Sequence, residues 1–219
     1  MRKIKFAVLL LLVASLTNAQ ENPPFWDDVQ AFKHQDSIQM PPQHAILFVG
    51  SSSFTKWTDV QNYFPGHPIV NRGFGGSTLL DVMMYADNVI LPYQPKQIVI
   101  YCGENDLAYS DTVSARTVAD RFISLFDIIR HVCENVPIDF VSIKPSPSRA
   151  KLMPKMVETN KLIESFLKTK SNTAFIDVYH KMLDANGKPI GEIFGPDSLH
   201  MNAKGYAIWQ KEIAPHLVK

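Results

Sequence analysis

Residues 45–53 read AILFVGSSS, an unbroken apolar run that ends at Gly50 and is followed by three serines. A short apolar run without alternation predicts a β-strand buried on both faces, as in parallel sheets. The glycine predicts a sharp turn at the end of this strand. The three serines would then lie at the carboxyl edge of a sheet, which is where open α/β proteins bind their ligands.

Four further apolar runs, at residues 68–70, 98–101, 138–143 and 174–178, are also predicted strands. Segments with helical periodicity separate them, at residues 78–88, 113–131 and 156–167. A first helix carries Trp26, Val29 and Phe32, and a last helix over residues 203–217 closes the chain. Five strands that alternate with helices predict a parallel sheet covered on both faces, because parallel neighbours need crossover connections. No repeat or linker interrupts the pattern, so residues 20–219 are predicted to form a single domain.

The composition is that of an ordinary soluble globular protein. The chain has 219 residues, of which 46% are apolar and 20% charged, with 22 Lys+Arg against 21 Asp+Glu. This balance lacks the basic footprint of a nucleic-acid binder, so no nucleic-acid partner is expected. The histidines and cysteines match no metal-binding motif, and no metal site is expected either.

The N-terminal segment is predicted to be a cleaved signal peptide, residues 1–19. Three basic residues precede an apolar run over residues 6–16, and small residues follow it at the spacing that signal peptidase accepts. The run is shorter than the roughly 20 residues that span a bilayer, which disfavours a membrane anchor. No cysteine near the cleavage region could carry a lipid. We therefore expect a secreted or periplasmic protein without a transmembrane segment.

Candidate functional residues follow several of the predicted strands. RGFGGST at residues 72–78 follows the second strand, GEND at residues 103–106 follows the third, and PDSLHMN at residues 196–202 precedes the last helix. Taken singly, each has an ordinary explanation as a helix cap, a tight turn or a surface histidine. Together with the serines, they place a nucleophile, oxyanion donors and an Asp–His pair at one sheet edge. Acyl transfer requires this combination.

These four segments, in this order, resemble the four sequence blocks of the SGNH or GDSL hydrolase superfamily along nearly the whole chain after residue 19. The resemblance implies a three-layer, flavodoxin-like α/β fold with strand order 2-1-3-4-5. It also implies a serine esterase without metal or organic cofactor. Carried over by position, Ser52 would be the nucleophile, His200 the general base and Asp197 its partner. Gly76, Asn105 and the backbone N–H of Ser52 would form the oxyanion hole.

One position departs from the family pattern, because Ser51 stands where the family usually has an aspartate. That aspartate is not a triad member in the family, so we expect the chemistry to survive its replacement. The change leaves Ser51 and Ser53 as alternatives to Ser52 for the nucleophile. Ser52 is favoured because Gly50 aligns it with the first block.

Three basic residues are candidate substrate contacts. Arg72 lies beside the glycines of the second segment, whereas Lys144 and Arg149 follow the predicted fourth strand. Each could contact a polar or anionic substrate, or could only brace a surface loop.

The substrate class is predicted from the polar surroundings of the site and from the resemblance. Residues 71–76 and 142–146 are similar to the platelet-activating-factor-acetylhydrolase-like branch, and extracellular family members include carbohydrate acetylesterases. We therefore expect hydrolysis of short acyl esters, O-acetyl groups on carbohydrates in particular. The alternatives are a lipid esterase of the lysophospholipase or thioesterase type, and a non-catalytic carbohydrate-binding protein.

Overall fold

A computed structural model describes residues 22–219 of the chain. Its sheet has five strands: β1 (Ile46–Gly50), β2 (Ile69–Gly73), β3 (Gln97–Tyr101), β4 (Ile138–Val141) and β5 (Thr173–Ile176). The strands lie in the order β2-β1-β3-β4-β5, and every neighbouring pair is parallel. The predicted strand order is thereby confirmed. The predicted signal peptide lies outside the described residues, so it stays a prediction, as does the single domain over residues 20–219.

The helices alternate with the strands. They are α1 (Trp26–Ile38), α2 (Ser52–Thr55), α3 (Val60–Tyr63), α4 (Leu79–Met84), α5 (Ala86–Val89), α6 (Glu104–Tyr109), α7 (Ala115–Val132), α8 (Met153–Leu167) and α9 (Ala203–Ile213). Within residues 22–219, none of them combines the length and apolar character needed to cross a lipid bilayer.

Two helices differ clearly from their predicted extents, whereas the ends of α7 and α8 lie within three residues of the predicted ones. The helix predicted over residues 78–88 is broken at Tyr85, whose hydroxyl donates to the carbonyl of Pro24 and whose ring packs edge-on against Phe74. The last helix ends at Ile213 instead of residue 217, and a short 3₁₀ turn containing Pro215 follows it. Proline has no N–H to continue the helical hydrogen bonds.

Each face of the sheet has its own apolar core. Along β1, Leu47 and Val49 pack in one core, whereas Ile46 and Phe48 pack in the other, because successive side chains of a strand point to opposite faces. Buried side chains of α1, α4, α5, α7 and α8 fill the first core. Those of α2, α3 and α9 fill the second. The fold is therefore the predicted three-layer arrangement, with helices on both faces.

The carboxyl ends of β1, β2 and β3 are aligned. Gly50 pairs in register with Gly73 of β2 and with Tyr101 of β3. Gly50 has a φ of +140°, and a Cβ atom there would lie 1.9 Å from the carbonyl oxygen of Tyr101. Only glycine therefore fits at the end of β1. The loops that follow β1, β2 and β3 consequently leave the sheet side by side.

Candidate active site

Ser52 is the first residue of α2, directly beyond the turn after β1. Its side chain is partly exposed, whereas Ser51 and Ser53 on either side are buried. The Oγ atom of Ser52 lies 2.9 Å from the Nε2 atom of His200. The hydroxyl of Ser51 is instead bonded to Asn105. Of the three candidate serines, Ser52 is the one in contact with the imidazole.

Asp197 fixes the orientation of the His200 ring. Its Oδ2 atom lies 2.6 Å from Nδ1 of His200, and its Oδ1 atom accepts hydrogen bonds from the backbone N–H groups of Leu199 (3.0 Å) and His200 (2.9 Å). The bond to the imidazole lowers the pKa of Asp197 most, and together with the two backbone bonds it holds that pKa well below its usual range. An ionised carboxylate only accepts hydrogen bonds, so Nδ1 carries the proton. In the neutral imidazole, the lone pair of Nε2 then faces the Ser52 hydroxyl.

A tight turn brings Asp197 and His200 together. The N–H of Gly195 donates to the carbonyl of His200 at 2.8 Å, and Ser198 at the tip adopts a left-handed φ of +54°. The carbonyl of Ser198 accepts a hydrogen bond from the N–H of Ser148, which ties the turn to the loop after β4. Asn202 caps α9 immediately afterwards. The turn is thus held at its tip and at its end.

Free backbone donors lie beside Ser52. Gly75 and Gly76 are exposed, and a Cβ atom on Gly75 would lie 4.0 Å from Cβ of Ser52. Gly76 has a φ of +90°, a conformation that glycine adopts without strain. Within residues 22–219, no backbone or side-chain acceptor takes a hydrogen bond from the N–H of Ser52 or Gly76. Unpaired N–H groups next to a nucleophile are suited to stabilising an oxyanion.

Asn105, near the start of α6, lies at the same edge. Its Nδ2 atom donates to Oγ of Ser51 at 2.7 Å and to the carbonyl of Ser77 at 3.0 Å. Its Oδ1 atom accepts from Nη2 of Arg149 at 3.0 Å. To donate to an oxyanion, the amide must therefore share or exchange its bond to Ser51. Sequence reasoning treated Ser51 only as a departure from the family pattern and missed this contact.

Arg72 does not contact a substrate site, contrary to one of the two sequence-based expectations. It is buried, forms an ion pair with Asp36 of α1, and donates from Nε to the hydroxyl of Tyr93 at 2.6 Å. Its guanidinium also lies over the rings of Phe32 (5.0 Å) and Tyr93 (4.7 Å). The side chain braces α1 against the sheet, which was the alternative expectation.

Lys144 is likewise inside the protein. It is fully buried, with Nζ 3.0 Å from Oε2 of Glu104 and 2.9 Å from the carbonyl oxygen of Leu199. The expectation that it contacts substrate is therefore wrong. Arg149 lies closer to the site, but its guanidinium is engaged with Glu104 at 3.3 Å and with Asn105. Glu104, the acid shared by both cations, was not singled out from the sequence.

Ser52, Gly76, Asn105, Asp197 and His200 therefore meet at one edge of the sheet, as the sequence segments predicted. Among residues 22–219, no group of three or more histidine, cysteine or acidic side chains is placed to hold a metal ion. The arrangement provides a hydroxyl, a base oriented by a carboxylate, and hydrogen-bond donors. These are the groups that acyl transfer through a serine uses.

Comparisons with known proteins agree with this chemistry. Residues 36–208 match the GDSL-like Lipase/Acylhydrolase family. A search of curated protein sequences finds no significant match.

Three solved structures illustrate the likeness in fold. A protein described as a platelet activating factor from Streptococcus pneumonia is 19% identical, with a TM-score of 0.75 over 88% of this chain and 92% of its own. A GDSL-like lipase from Bacteroides thetaiotaomicron is 18% identical, with a TM-score of 0.72 over 86% and 96% of the two chains. An acetyl esterase mutant with an acetate ion is 13% identical, with a TM-score of 0.60 over 78% and 95%.

The family match runs from α1 into α9 and includes every residue of the candidate site. The protein therefore belongs to the GDSL-like lipase/acylhydrolase family and is a carboxylic ester hydrolase.

Proposed function

We propose that this hydrolase removes short acyl groups, O-acetyl groups in particular, from carbohydrate esters through an acyl-enzyme on Ser52. The observation that carries the proposal is the chain of contacts from Asp197 through His200 to the Ser52 hydroxyl, at 2.6 and 2.9 Å. It lies beside the unpaired N–H groups of Ser52 and Gly76.

In the proposed mechanism, Nε2 of His200 takes the proton of Ser52 as Oγ attacks the ester carbonyl carbon. The developing oxyanion accepts hydrogen bonds from the N–H groups of Ser52 and Gly76 and from Nδ2 of Asn105. His200 then protonates the departing alcohol, which leaves the acyl group on Ser52. Water, deprotonated by the same imidazole, attacks the acyl-enzyme and releases the acid.

An aromatic ring beside the oxyanion glycine supports a short acyl group. A Cβ atom on Gly76 would lie 3.6 Å from Cε1 of Phe25, whose ring packs against Phe74 at 5.5 Å between centroids. Phe25 therefore limits the space next to the carbonyl that Gly76 would bind. The acetyl esterase among the structural relatives has the same fold.

A polar surface around the base supports a hydrophilic alcohol as the leaving group. Asp197 and Ser148 are exposed; Asp197 contacts His200, and the N–H of Ser148 donates to Ser198 of the turn that carries His200. We further propose that the enzyme acts outside the cytoplasm, a proposal supported by the signal-peptide pattern of residues 1–19.

The test is hydrolysis of p-nitrophenyl esters from acetate to decanoate by residues 20–219, beside the Ser52→Ala variant. The proposal expects a Ser52-dependent rate that is highest for acetate and negligible by hexanoate. Acetylated polysaccharides would then be screened for acetate release. A maximum at octanoate or beyond would instead favour a lysophospholipase or thioesterase. Equal inactivity of both proteins on every ester would favour the non-catalytic carbohydrate-binding protein.

A further inference from the structure

A buried carboxylate lies between two cations beneath the candidate site. Glu104 is only 5% exposed, and its carboxylate lies 3.0 Å from Nζ of Lys144 and 3.3 Å from Nη1 of Arg149. The hydroxyl of Tyr101 donates to the same carboxylate at 2.6 Å. Burial by itself raises the pKa of Glu104, but Lys144, Arg149 and Tyr101 together hold that pKa below its usual range. Glu104 is therefore ionised and fully engaged.

Each cation continues to a different part of the site. Arg149 donates from Nη2 to Oδ1 of Asn105 at 3.0 Å. Lys144 donates from Nζ to the carbonyl of Leu199, the residue before His200, at 2.9 Å. A single carboxylate thus anchors both the side chain that would donate to the oxyanion and the turn that carries the base.

The contacts of Asn105 with Arg149 and with Ser77 together determine which way its carboxamide points. An asparagine amide has an acceptor at one end and donors at the other, and the two orientations have nearly the same shape. Arg149 can only donate and the carbonyl of Ser77 can only accept, so together they require Oδ1 toward Arg149 and Nδ2 toward Ser77 and Ser51. The reversed amide would turn its oxygen toward an oxyanion and repel it.

Stability alone does not account for such a network. A buried ion pair usually contributes no more to stability than apolar residues of similar volume, because desolvation offsets the attraction between the charges. A buried ion pair differs from such apolar residues because its charged groups form hydrogen bonds in fixed directions.

We propose that Arg149, anchored by Glu104, is a positioning residue that keeps Nδ2 of Asn105 directed at the oxyanion hole. Lys144, on the same carboxylate, holds the turn of His200. The inference rests on the Ser52-dependent hydrolysis proposed above. It also replaces the earlier idea that Arg149 contacts the substrate.

The first test is a double-mutant cycle between Arg149→Met and Asn105→Ala on p-nitrophenyl acetate. We expect Arg149→Met to lower kcat about tenfold, with KM changed by less than about twofold. In the Asn105→Ala background, the same replacement should change kcat by less than about twofold. Arg149→Lys should resemble Arg149→Met, because one ammonium group cannot reproduce the planar fork that reaches both partners. Arg116→Met, at an exposed ion pair on α7, is the matched control.

Two outcomes of the cycle would overturn the proposal. Equal losses of kcat in both backgrounds would mean that Arg149 does not act through Asn105. A raised KM with unchanged kcat would mean that Arg149 binds the substrate directly. Thermal unfolding of every variant separates these effects from a loss of folded protein.

The second test does not depend on ester hydrolysis. The side-chain amide signals of Asn105 can be assigned in a ¹H–¹⁵N NMR spectrum by their loss in Asn105→Ala. We expect their exchange with water to be about tenfold faster in Arg149→Met than in the wild type or Arg116→Met. If Arg149→Met left the exchange rate of the Asn105 amide protons unchanged, the positioning role of Arg149 would be refuted, whatever the esterase activity of the variant. Failure of the proposed function would appear separately, as hydrolysis that Ser52→Ala does not reduce.

Discussion

The Oγ atom of Ser51 lies 2.7 Å from the Nδ2 atom of Asn105, so the residue before the candidate nucleophile accepts a bond from a candidate oxyanion donor. The serine that replaces the family aspartate therefore still offers an oxygen acceptor at this position. Its neighbour Ser52 faces the imidazole instead. The two adjacent hydroxyls thus have different partners and should respond differently to removal.

We expect Ser52→Ala to lower kcat/KM by at least about 1,000-fold, because it removes the proposed nucleophile. Ser51→Ala should stay within about tenfold of the wild type, because it removes one neutral hydrogen bond. Steady-state hydrolysis of p-nitrophenyl acetate measures both. If Ser51→Ala were as inactive as Ser52→Ala, the assignment of the nucleophile would have to be revised.

Asn105→Ala should lower kcat by about 100- to 1,000-fold, the usual cost of losing one oxyanion donor. KM should change little, because the donor acts mainly on the transition state. Asn186→Ala, in the exposed turn between Asp184 and Lys188, serves as the matched control. A rise in KM with kcat preserved would place Asn105 in substrate binding instead.

Asp197→Asn should lower kcat by about 100-fold or more, because an amide facing Nδ1 favours the tautomer whose Nε2 carries the proton. Ser52 would then face a donor instead of a base. The measurement is kcat at neutral pH, with circular dichroism to establish that the variant is folded. Full activity in a folded variant would exclude Asp197 as the partner of His200.

Asp197 also predicts a pH dependence of stability. The bonds from His200 and Leu199 place its folded pKa below the unfolded value of about 4. Its contribution is therefore present above the unfolded pKa and is lost as pH falls through the folded value. Urea unfolding should show a difference in free energy between wild type and Asp197→Asn that is present at about pH 5 and shrinks below about pH 4. A difference that already shrinks near pH 6 would contradict this.

Asp139 predicts the opposite pH dependence, because its contribution to the free energy of unfolding decreases as pH rises. It is buried on β4, where its Oδ2 atom accepts from Nε2 of Gln97 at 2.7 Å, and burial raises its pKa to about 6. Because the folded pKa exceeds the unfolded one, its contribution is greatest below about pH 4 and is lost as pH rises through about 6.

As pH rises from about 4 through about 6, the unfolding free energy of the wild type should fall by up to about 3 kcal/mol relative to that of Asp139→Asn. Urea denaturation of both proteins at pH 4, 5, 6 and 7 provides the comparison. If the difference in unfolding free energy between the two proteins were the same at all four pH values, the carboxyl group of Asp139 would not titrate in this range.

Arg72→Met should lower the unfolding free energy by about 3 kcal/mol, because it leaves Asp36 without its buried partner. The double variant Arg72→Met/Asp36→Asn should regain part of this loss. KM for a neutral ester should change by less than about twofold, since the side chain lies in the core. A stable variant with a raised KM would restore the substrate contact for Arg72.

The strand order and the meeting of the candidate residues were predictable from the sequence. The apolar runs are short and bounded by turn residues, and the resemblance supplied their order in the sheet. Once the strands are parallel, residues such as Ser52 and Asn105 that follow neighbouring strands must share an edge. The Asp197–His200 pair was predictable because the partners are three residues apart.

The contacts that brace the site could not be predicted in this way. Asn105 and Ser51 are 54 residues apart, and Arg72 and Asp36 are 36 apart, with no periodic pattern linking them. Such side-chain pairs depend on how the loops pack after the sheet has formed. Arg72 was placed correctly beside the glycine loop, but the strand directs its side chain toward α1. Local sequence does not indicate which of two faces holds an acidic partner.

Ser52 and His200 are separated by 148 positions, so the proposed nucleophile and the proposed base come from opposite ends of the domain. A growing chain that stops before residue 200 contains every strand of the sheet but not this imidazole. During refolding, ester cleavage should therefore begin only after the last turn has closed over Ser52. The onset of chromogenic-ester turnover would therefore report the time at which the C-terminal part of the chain completes folding.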